Sequence, residues 1–260
     1  MKENDLFLLR NRLVEIKEMG WIENRRPGNA GGVGNTLEDL LGIAENNYQR
    51  PDFGFWELKS QRADSSSLLT LFHCEPKPRN ARVVARILLE KYGWPHQEAG
   101  IRYPINEKSF RQTINNTMYS DRGFTVNLDD RQEIVYISFD YSRIDDRHAL
   151  WRNSVLHNAG SGDILPNPYW TYSDIESKLR TKLNNMMYVR ADRRVENGKE
   201  YFCYNQMEVF VNPSIDRFLE LMRAGAIYVD FDARTGHNHG TKFRIRQNAK
   251  ESLYAGHFII

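Results

Sequence analysis

Residues 51–60 read PDFGFWELKS. Aromatic and aliphatic residues run from Phe53, and period-two alternation places Glu57 and Lys59 on one face of a strand, with Trp56 and Leu58 turned into a core behind them. Metal-assisted phosphodiester hydrolysis needs acidic oxygens to hold a hard cation, and a positive group to position the attacking water. The Glu-x-Lys pattern recurs at Glu15/Lys17, Glu75/Lys77 and Glu176/Lys178. The first and last of these fall on expected helices, and Pro76 interrupts the other, so Glu57/Lys59 is the copy expected on a strand. It is also the copy that follows a Pro-Asp pair, Pro51 and Asp52. Asp52 has the wrong parity to share a face with Glu57 on a straight strand, so it must reach the pair from the preceding turn, for which Pro51 and Gly54 are suited. A solvated ion pair on a strand is the structural alternative for the same residues.

Upstream, Leu6, Leu9, Leu13 and Ile16 fall three or four apart between Asn4 and Met19, the stripe of an amphipathic helix ended by Gly20. The glycine-rich segment ENRRPGNAGGVGN is not expected to hold regular structure before Thr36. It also fails as a phosphate loop, since no Lys-Ser or Lys-Thr follows it. Thr36 is expected to cap a second helix, with Asp39 as its capping-box companion and Leu37, Leu40, Leu41 and Ala44 buried. Glu38 would then lie in the first turn, either facing the metal or serving as a surface acid favoured by the helix dipole.

Downstream, Phe53 to Ser60 and Ser67 to Cys74 read as a hairpin around QRADSS. A helix is expected from Ala81 to Lys91, and strands at Arg111–Tyr119, Thr125–Leu128 and Glu133–Tyr141. Ser173 and Glu176 form a capping box for a helix through Leu183. Strands at Met187–Arg194 and Tyr201–Val211 flank the turn ENGK. A last helix starts at Asn212-Pro213 and ends near Gly225, before strands at Ile227–Asp232 and Lys242–Gln247. The pattern is mixed α/β without repeats, and 260 residues suit one domain of two lobes. Residues 1–170 are expected to form mainly a catalytic lobe, and 171–260 mainly a recognition lobe.

Hydrophobic residues at 40% and charged residues at 27% fit a globular chain and argue against long disorder or a coiled coil. Nothing approaches the ~20 apolar residues of a membrane span, and the start MKENDLFLLRNRLVEIKEMG lacks a signal-peptide core, so a cytoplasmic location is expected. Cys74 and Cys203 read as ordinary small residues. A net charge of +2 does not by itself point to nucleic acid.

Charge distribution says more. Arg234, Lys242, Arg244, Arg246 and Lys250 cluster near the C-terminus, with His237 and His239 among them. The strand KFRIRQ places Lys242, Arg244 and Arg246 on one face, either as a solvated edge or as a surface for phosphates and guanine edges. His237-Asn238-His239 does not carry the spread arrangement of the HNH nucleases. A zinc cage of the two histidines with Asp232 is a minor alternative, because neighbouring basic residues oppose it.

Taken together, GNTLEDLLGI, PDFGFWELKS and DFDARTGHNHGTKFRIR resemble the MvaI/BcnI family of type II restriction endonucleases, relatives of the mismatch-repair nickase MutH. The resemblance covers the first third and last tenth of the chain. It implies a PD-(D/E)xK restriction-endonuclease-like, MutH-like fold: a mixed sheet flanked by helices, in two lobes around a DNA cleft. It also implies Mg²⁺ on Asp52 and Glu57, Lys59 at the water, and Glu38 supporting from its helix. His73, Arg234, His237, Asn238, His239, Lys242, Arg244 and Arg246 become candidate DNA contacts. The substrate implied is double-stranded DNA with interrupted CC/GG sites, cut by a monomer one strand after the other and paired in the cell with a DNA methyltransferase. Alternatives are a MutH-like repair nickase, a DNA-binding module without catalysis, and a zinc hydrolase.

Overall fold

The structure is a computed structural model and describes residues 2–29, 31–43 and 51–260. Contacts divide the chain into two compact units that interleave along the sequence. One comprises Met1–Ser67, Ser177–Ser214 and Lys250–Ile260, and the other Leu68–Glu176 and Ile215–Ala249. The units are therefore not divided by one boundary near residue 170. Strand pairing joins segments distant in sequence, and a hydrophobic pattern along the chain does not reveal the partner.

The first unit is built on a mixed sheet in the order Ile22–Glu23, Lys199–Pro213, Asn185–Glu196, Glu57–Arg62, with Tyr254–Ile259 also pairing to Lys199–Pro213. Glu57–Arg62 runs parallel to Asn185–Glu196, with Glu57 opposite Met186 and Lys59 opposite Tyr188. Asn197 and Gly198, both at positive φ, close the long hairpin at the expected ENGK turn. The helix Lys2–Glu18 buries Leu9, Leu13 and Ile16, and the helix Gly32–Leu41 buries Val33, Leu37 and Leu41; both stripes join Trp56 and Leu58 in one core. Ala44, the last position of the expected stripe, lies outside the described residues.

Three local expectations are corrected. The second helix begins at Gly32 with Gly31 as its N-cap, so Thr36 is interior and wholly buried, its hydroxyl accepting from the Arg25 amide (3.1 Å). Glycine is unfavourable in a helix by propensity, but a Cβ at Gly32 would lie 2.7 Å from the Asn24 amide nitrogen. Close packing outweighs propensity here. Glu57–Arg62 and Leu69–His73 do not form a hairpin: each pairs into a different sheet. The capping box of the helix Tyr172–Lys182 is Thr171 with Asp174, two residues before the expected pair, and the Asp174 carboxylate accepts from both the Thr171 amide (3.0 Å) and its hydroxyl (2.7 Å).

The second unit holds an antiparallel sheet in the order Leu69–His73, Lys242–Ile245, Ile227–Arg234, Lys108–Ile114, Trp94–Pro95, with His237–Asn238 pairing to Ile227–Arg234. A three-stranded sheet of Arg122–Asp129, Ile134–Ile144 and Tyr169–Thr171 belongs to the same unit. The expected helix near Ala81 is a 3₁₀ turn Arg79–Ala81, a π-helical stretch Val83–Leu89 and a short α turn Glu90–Tyr92. The helix Ile215–Arg223 starts after Pro213. The helix Ala149–Ala159 and the strand Tyr254–Ile259 are not anticipated by the sequence reading.

Candidate active site

The Phe53 and Trp56 backbones exchange hydrogen bonds of 2.9 and 2.8 Å across a two-residue turn. Gly54, the first central residue, has φ +56°, as a II′ turn requires. Pairing of residue 53 with 56 sets residue 52 across the turn from 57. This resolves the parity problem: residues five apart cannot share a face of one straight strand, but they stand side by side across a tight hairpin. The Asp52 carboxylate then turns back, its Oδ2 accepting from the Leu58 amide at 3.0 Å.

Glu57 is fully buried, whereas the Lys59 side chain keeps about a fifth of its surface exposed. Lys59 Nζ donates to Glu57 Oε1 at 2.5 Å. Burial pushes the Glu57 carboxyl above the usual glutamate range, aided by the nearby charge of Asp52, and the ammonium groups of Lys59 and Lys182 partly oppose this. Glu57 Oε2 is buried and accepts no hydrogen bond from the described residues. It is paired by charge with Lys182, whose Nζ lies 2.9 Å from Oε2 and 3.7 Å from Asp52 Oδ1. The Tyr254 hydroxyl donates to Met186 Sδ at 3.7 Å, and burial next to the Glu57 charge raises its pKa.

This donor set suits a hard divalent cation. Among the described residues no group of three or more His, Cys, Asp or Glu side chains is arranged to hold a metal. Zinc prefers three or four protein ligands, so the His237/His239 cage has no support, whereas Mg²⁺ takes one or two carboxylates and completes its shell with water and substrate oxygens. Asp52 Oδ1 and Glu57 Oε2 are two carboxylate oxygens of the kind such an ion takes, and the Lys182 ammonium beside both marks the spot as one that attracts a cation.

Glu38 is half-buried, in the second half of its helix and not in the first turn, which removes the dipole explanation for it. It lies one turn beyond Gly34, on the same helix face. A Cβ at Gly34 would stand 3.4 Å from Ser60 Oγ, so that face runs against the side of the strand that carries Leu58 and Ser60, opposite the side of Glu57 and Lys59.

The candidate DNA contacts lie in the second unit. Lys242 and Arg244 share one face of the strand Lys242–Ile245, as the alternation requires, Arg246 follows just past its end, and His73 is opposite Lys242. That face is not simply basic. Lys242 Nζ lies 3.9 Å from Asp232, Arg244 bonds Asp230 (3.3 Å) and the Leu68 carbonyl (2.8 Å), and Arg246 Nε bonds the Tyr228 hydroxyl (3.0 Å). Arg111 also reaches Asp232, at 2.9 Å. Tyr228, Asp230 and Asp232 alternate along Ile227–Arg234, a period-two signal in the sequence for this face.

Arg234 donates to the buried Glu107 (3.0 Å) with its guanidinium 4.6 Å above the Tyr103 ring, so it is held in place. In the loop, Asn238 donates to Glu75 at 3.2 Å and accepts from the Gly240 amide at 2.9 Å, while the exposed His237 and His239 rings are 4.3 Å apart. Lys182 is the site residue that sequence reading missed, since no spacing rule connects the end of a helix to a carboxylate 125 positions earlier.

A mixed sheet flanked by helices, with aspartate and Glu-x-Lys set together by a tight turn, defines a nuclease of the PD-(D/E)xK class. Residues 10–254 match the MvaI/BcnI restriction endonuclease family. The chain belongs to that family and is a type II restriction endonuclease. Among solved structures it is similar to a restriction endonuclease MvaI–cognate DNA substrate complex, at 26% identity and a TM-score of 0.79 over 98% of this chain and 97% of that one. Restriction endonuclease MvaI in the absence of DNA shares 22% identity and a TM-score of 0.52 over the same fractions, a likeness of fold alone. No curated protein sequence matches the chain. Family membership implies use of a divalent metal, and among the described residues no helix is long and apolar enough to cross a membrane.

Proposed function

We propose that the protein hydrolyses phosphodiester bonds in duplex DNA at a short C/G-rich site, using Mg²⁺ held by Asp52 and Glu57. The observation that carries this reading is the pair of oxygens, Asp52 Oδ1 and Glu57 Oε2, facing a cation beside the Lys59 ammonium. When bound, the ion supplies Lewis acidity to water and charge to the scissile phosphate. Asp52, fixed through Oδ2 by the Leu58 amide, presents Oδ1. Glu57, fixed through Oε1 by Lys59, presents Oε2. Lys59 orients the attacking water and meets negative charge growing on the phosphate oxygens. Glu38 supports the site from its helix, as the family resemblance implies.

His73, Arg234, His237, Asn238, His239, Lys242, Arg244 and Arg246 are the proposed DNA contacts. Arg244 and Lys242, preset by Asp230 and Asp232, are suited to guanine edges, since a bidentate contact discriminates only when its donors are already oriented. The likeness to an endonuclease solved with its cognate DNA supports duplex DNA as the substrate. The enzyme acts in the cytoplasm as a monomer that cuts the strands in turn, beside a methyltransferase that protects the host's copies of the site.

Purified protein incubated with unmethylated phage DNA and Mg²⁺, followed by sequencing of the fragment ends, tests the reading. Discrete ends sharing one C/G-rich sequence are expected. Random ends, nicks in one strand alone, or undiminished cutting in strong chelator would overturn it.

A further inference from the structure

We infer that Lys182 is an internal counter-ion that competes with the divalent cation for Asp52 Oδ1 and Glu57 Oε2, and so sets how readily the site loads with metal. The inference rests on the reading of those two carboxylates as metal ligands.

Each carboxylate has one oxygen engaged by its own segment, Asp52 Oδ2 by the Leu58 amide and Glu57 Oε1 by Lys59. The oxygens left over are the ones Lys182 faces, at 3.7 and 2.9 Å. A Mg²⁺ or Ca²⁺ ion ligates carboxylates at about 2.0–2.6 Å. An ion bonded to both oxygens would occupy the volume of the ammonium, and two cations there would repel each other strongly in so dry a setting. One must leave.

Lys182 is built to do so. It ends the helix Tyr172–Lys182, its four-carbon stem allows the charged head to swing, and a fifth of its side-chain surface is already exposed. Until metal arrives, its charge offsets the burial of Glu57, which has no solvent contact. Lys59 differs: it meets Oε1 and leaves the two metal-facing oxygens clear. The two lysines thus divide the work, Lys59 staying beside the reacting phosphate and Lys182 exchanging with the ion.

Two measurements on the whole protein without DNA test this, with Ca²⁺ as the probe. In the parent chain, reductive methylation read by peptide mass spectrometry should show Lys182 reacting severalfold faster once Ca²⁺ is added, while exposed Lys91 is unchanged. Unchanged or slower labelling of Lys182 would sink the inference. By titration calorimetry, Lys182→Met and Lys182→Gln should bind Ca²⁺ about tenfold more tightly than the parent, within the ordinary range of coupling between sites. Equal or weaker affinity in the folded variants would overturn it, and if both variants fail to fold the labelling result decides. Glu57→Gln separates the two ideas. Ca²⁺ uptake that survives Glu57→Gln, or no uptake by parent and Lys182 variants alike, removes the metal-ligand reading itself. Uptake that Glu57→Gln abolishes but Lys182→Met leaves unchanged removes only the counter-ion.

Discussion

Lys59 and Lys182 each approach one oxygen of the fully buried Glu57, and their charges offset part of the cost of its burial. Burial still raises its pKa, and the sign of the linkage follows. A carboxyl that holds its proton more tightly when folded costs stability above its unfolded pKa, and the cost is relieved as pH falls through the folded pKa. Such a group is retained for chemistry more than for stability. Glu57→Gln keeps the shape and removes the charge that a hard cation needs. It should abolish cleavage while the folded protein still binds its target duplex, and Glu15→Gln, on the N-terminal helix, should cut like the parent. Cleavage assays paired with thermal melts check this. Near-parental cutting by folded Glu57→Gln protein would remove the metal site from the mechanism.

At the scale of elements, the helix Tyr172–Lys182 is anchored by the Thr171/Asp174 box at one end and delivers Lys182 at the other. Burial tends to raise the Asp174 pKa, but hydrogen bonds from Lys77 and Thr171 outweigh it and hold the carboxyl below the usual aspartate range. Here the sign is opposite to that of Glu57. The carboxylate contributes stability above its unfolded pKa, and the contribution is lost as pH falls through the lower folded one. Asp174→Ala should therefore cost about 1 kcal/mol at about pH 7, with the difference from the parent shrinking once pH falls below the unfolded aspartate pKa of about 3.9. Urea melts at both pH values measure it. A deficit that stays constant with pH would mean that the carboxylate charge contributes nothing to the cap.

The recognition strand makes a second case at this scale. Lys242 and Arg246 differ in how they are held, one by a carboxylate 3.9 Å away and the other by a neutral hydroxyl. Arg246 is the more exposed. Arg246→Gln should lower the slope of log affinity against log salt by about one if it meets phosphate. Lys242→Gln should change it less, because Asp232 already neutralises part of that charge. Equal slopes for the parent and both variants would remove the phosphate contacts from this strand.

For the molecule as a whole, target binding and chemistry should be separable, since the proposed base-reading and metal-holding side chains stand on different elements. Ca²⁺ satisfies the same two carboxylates with looser geometry, whereas Mg²⁺ imposes an octahedral shell on the attacking water. Ca²⁺ should therefore support sequence-specific retention of the duplex with little cleavage, and Mg²⁺ should release cut fragments. Gel-shift and cleavage assays on one oligonucleotide compare the two, and brisk cutting in Ca²⁺ would contradict the assignment.

Sequence alone determined the strand face of Glu57 and Lys59, the core face of Trp56 and Leu58, the buried stripe of the first helix and the ENGK hairpin, because each depends on periodicity or turn chemistry within a few residues. The family resemblance added the restriction-endonuclease fold and the proposal for which residues form the site. Tertiary structure alone decided that Asp52 stands across a tight turn from Glu57, that the helix beginning in the glycine-rich stretch packs Gly32 closely against the Asn24 side chain, and that Glu57–Arg62 pairs with Asn185–Glu196 instead of its sequence neighbour. It also brought Lys182 to both carboxylates and set Asp230 and Asp232 among the basic residues of the recognition strand. These depend on contacts between segments far apart in the chain. Local alternation can say which way a side chain points, but the partner it meets is fixed only when the sheets assemble.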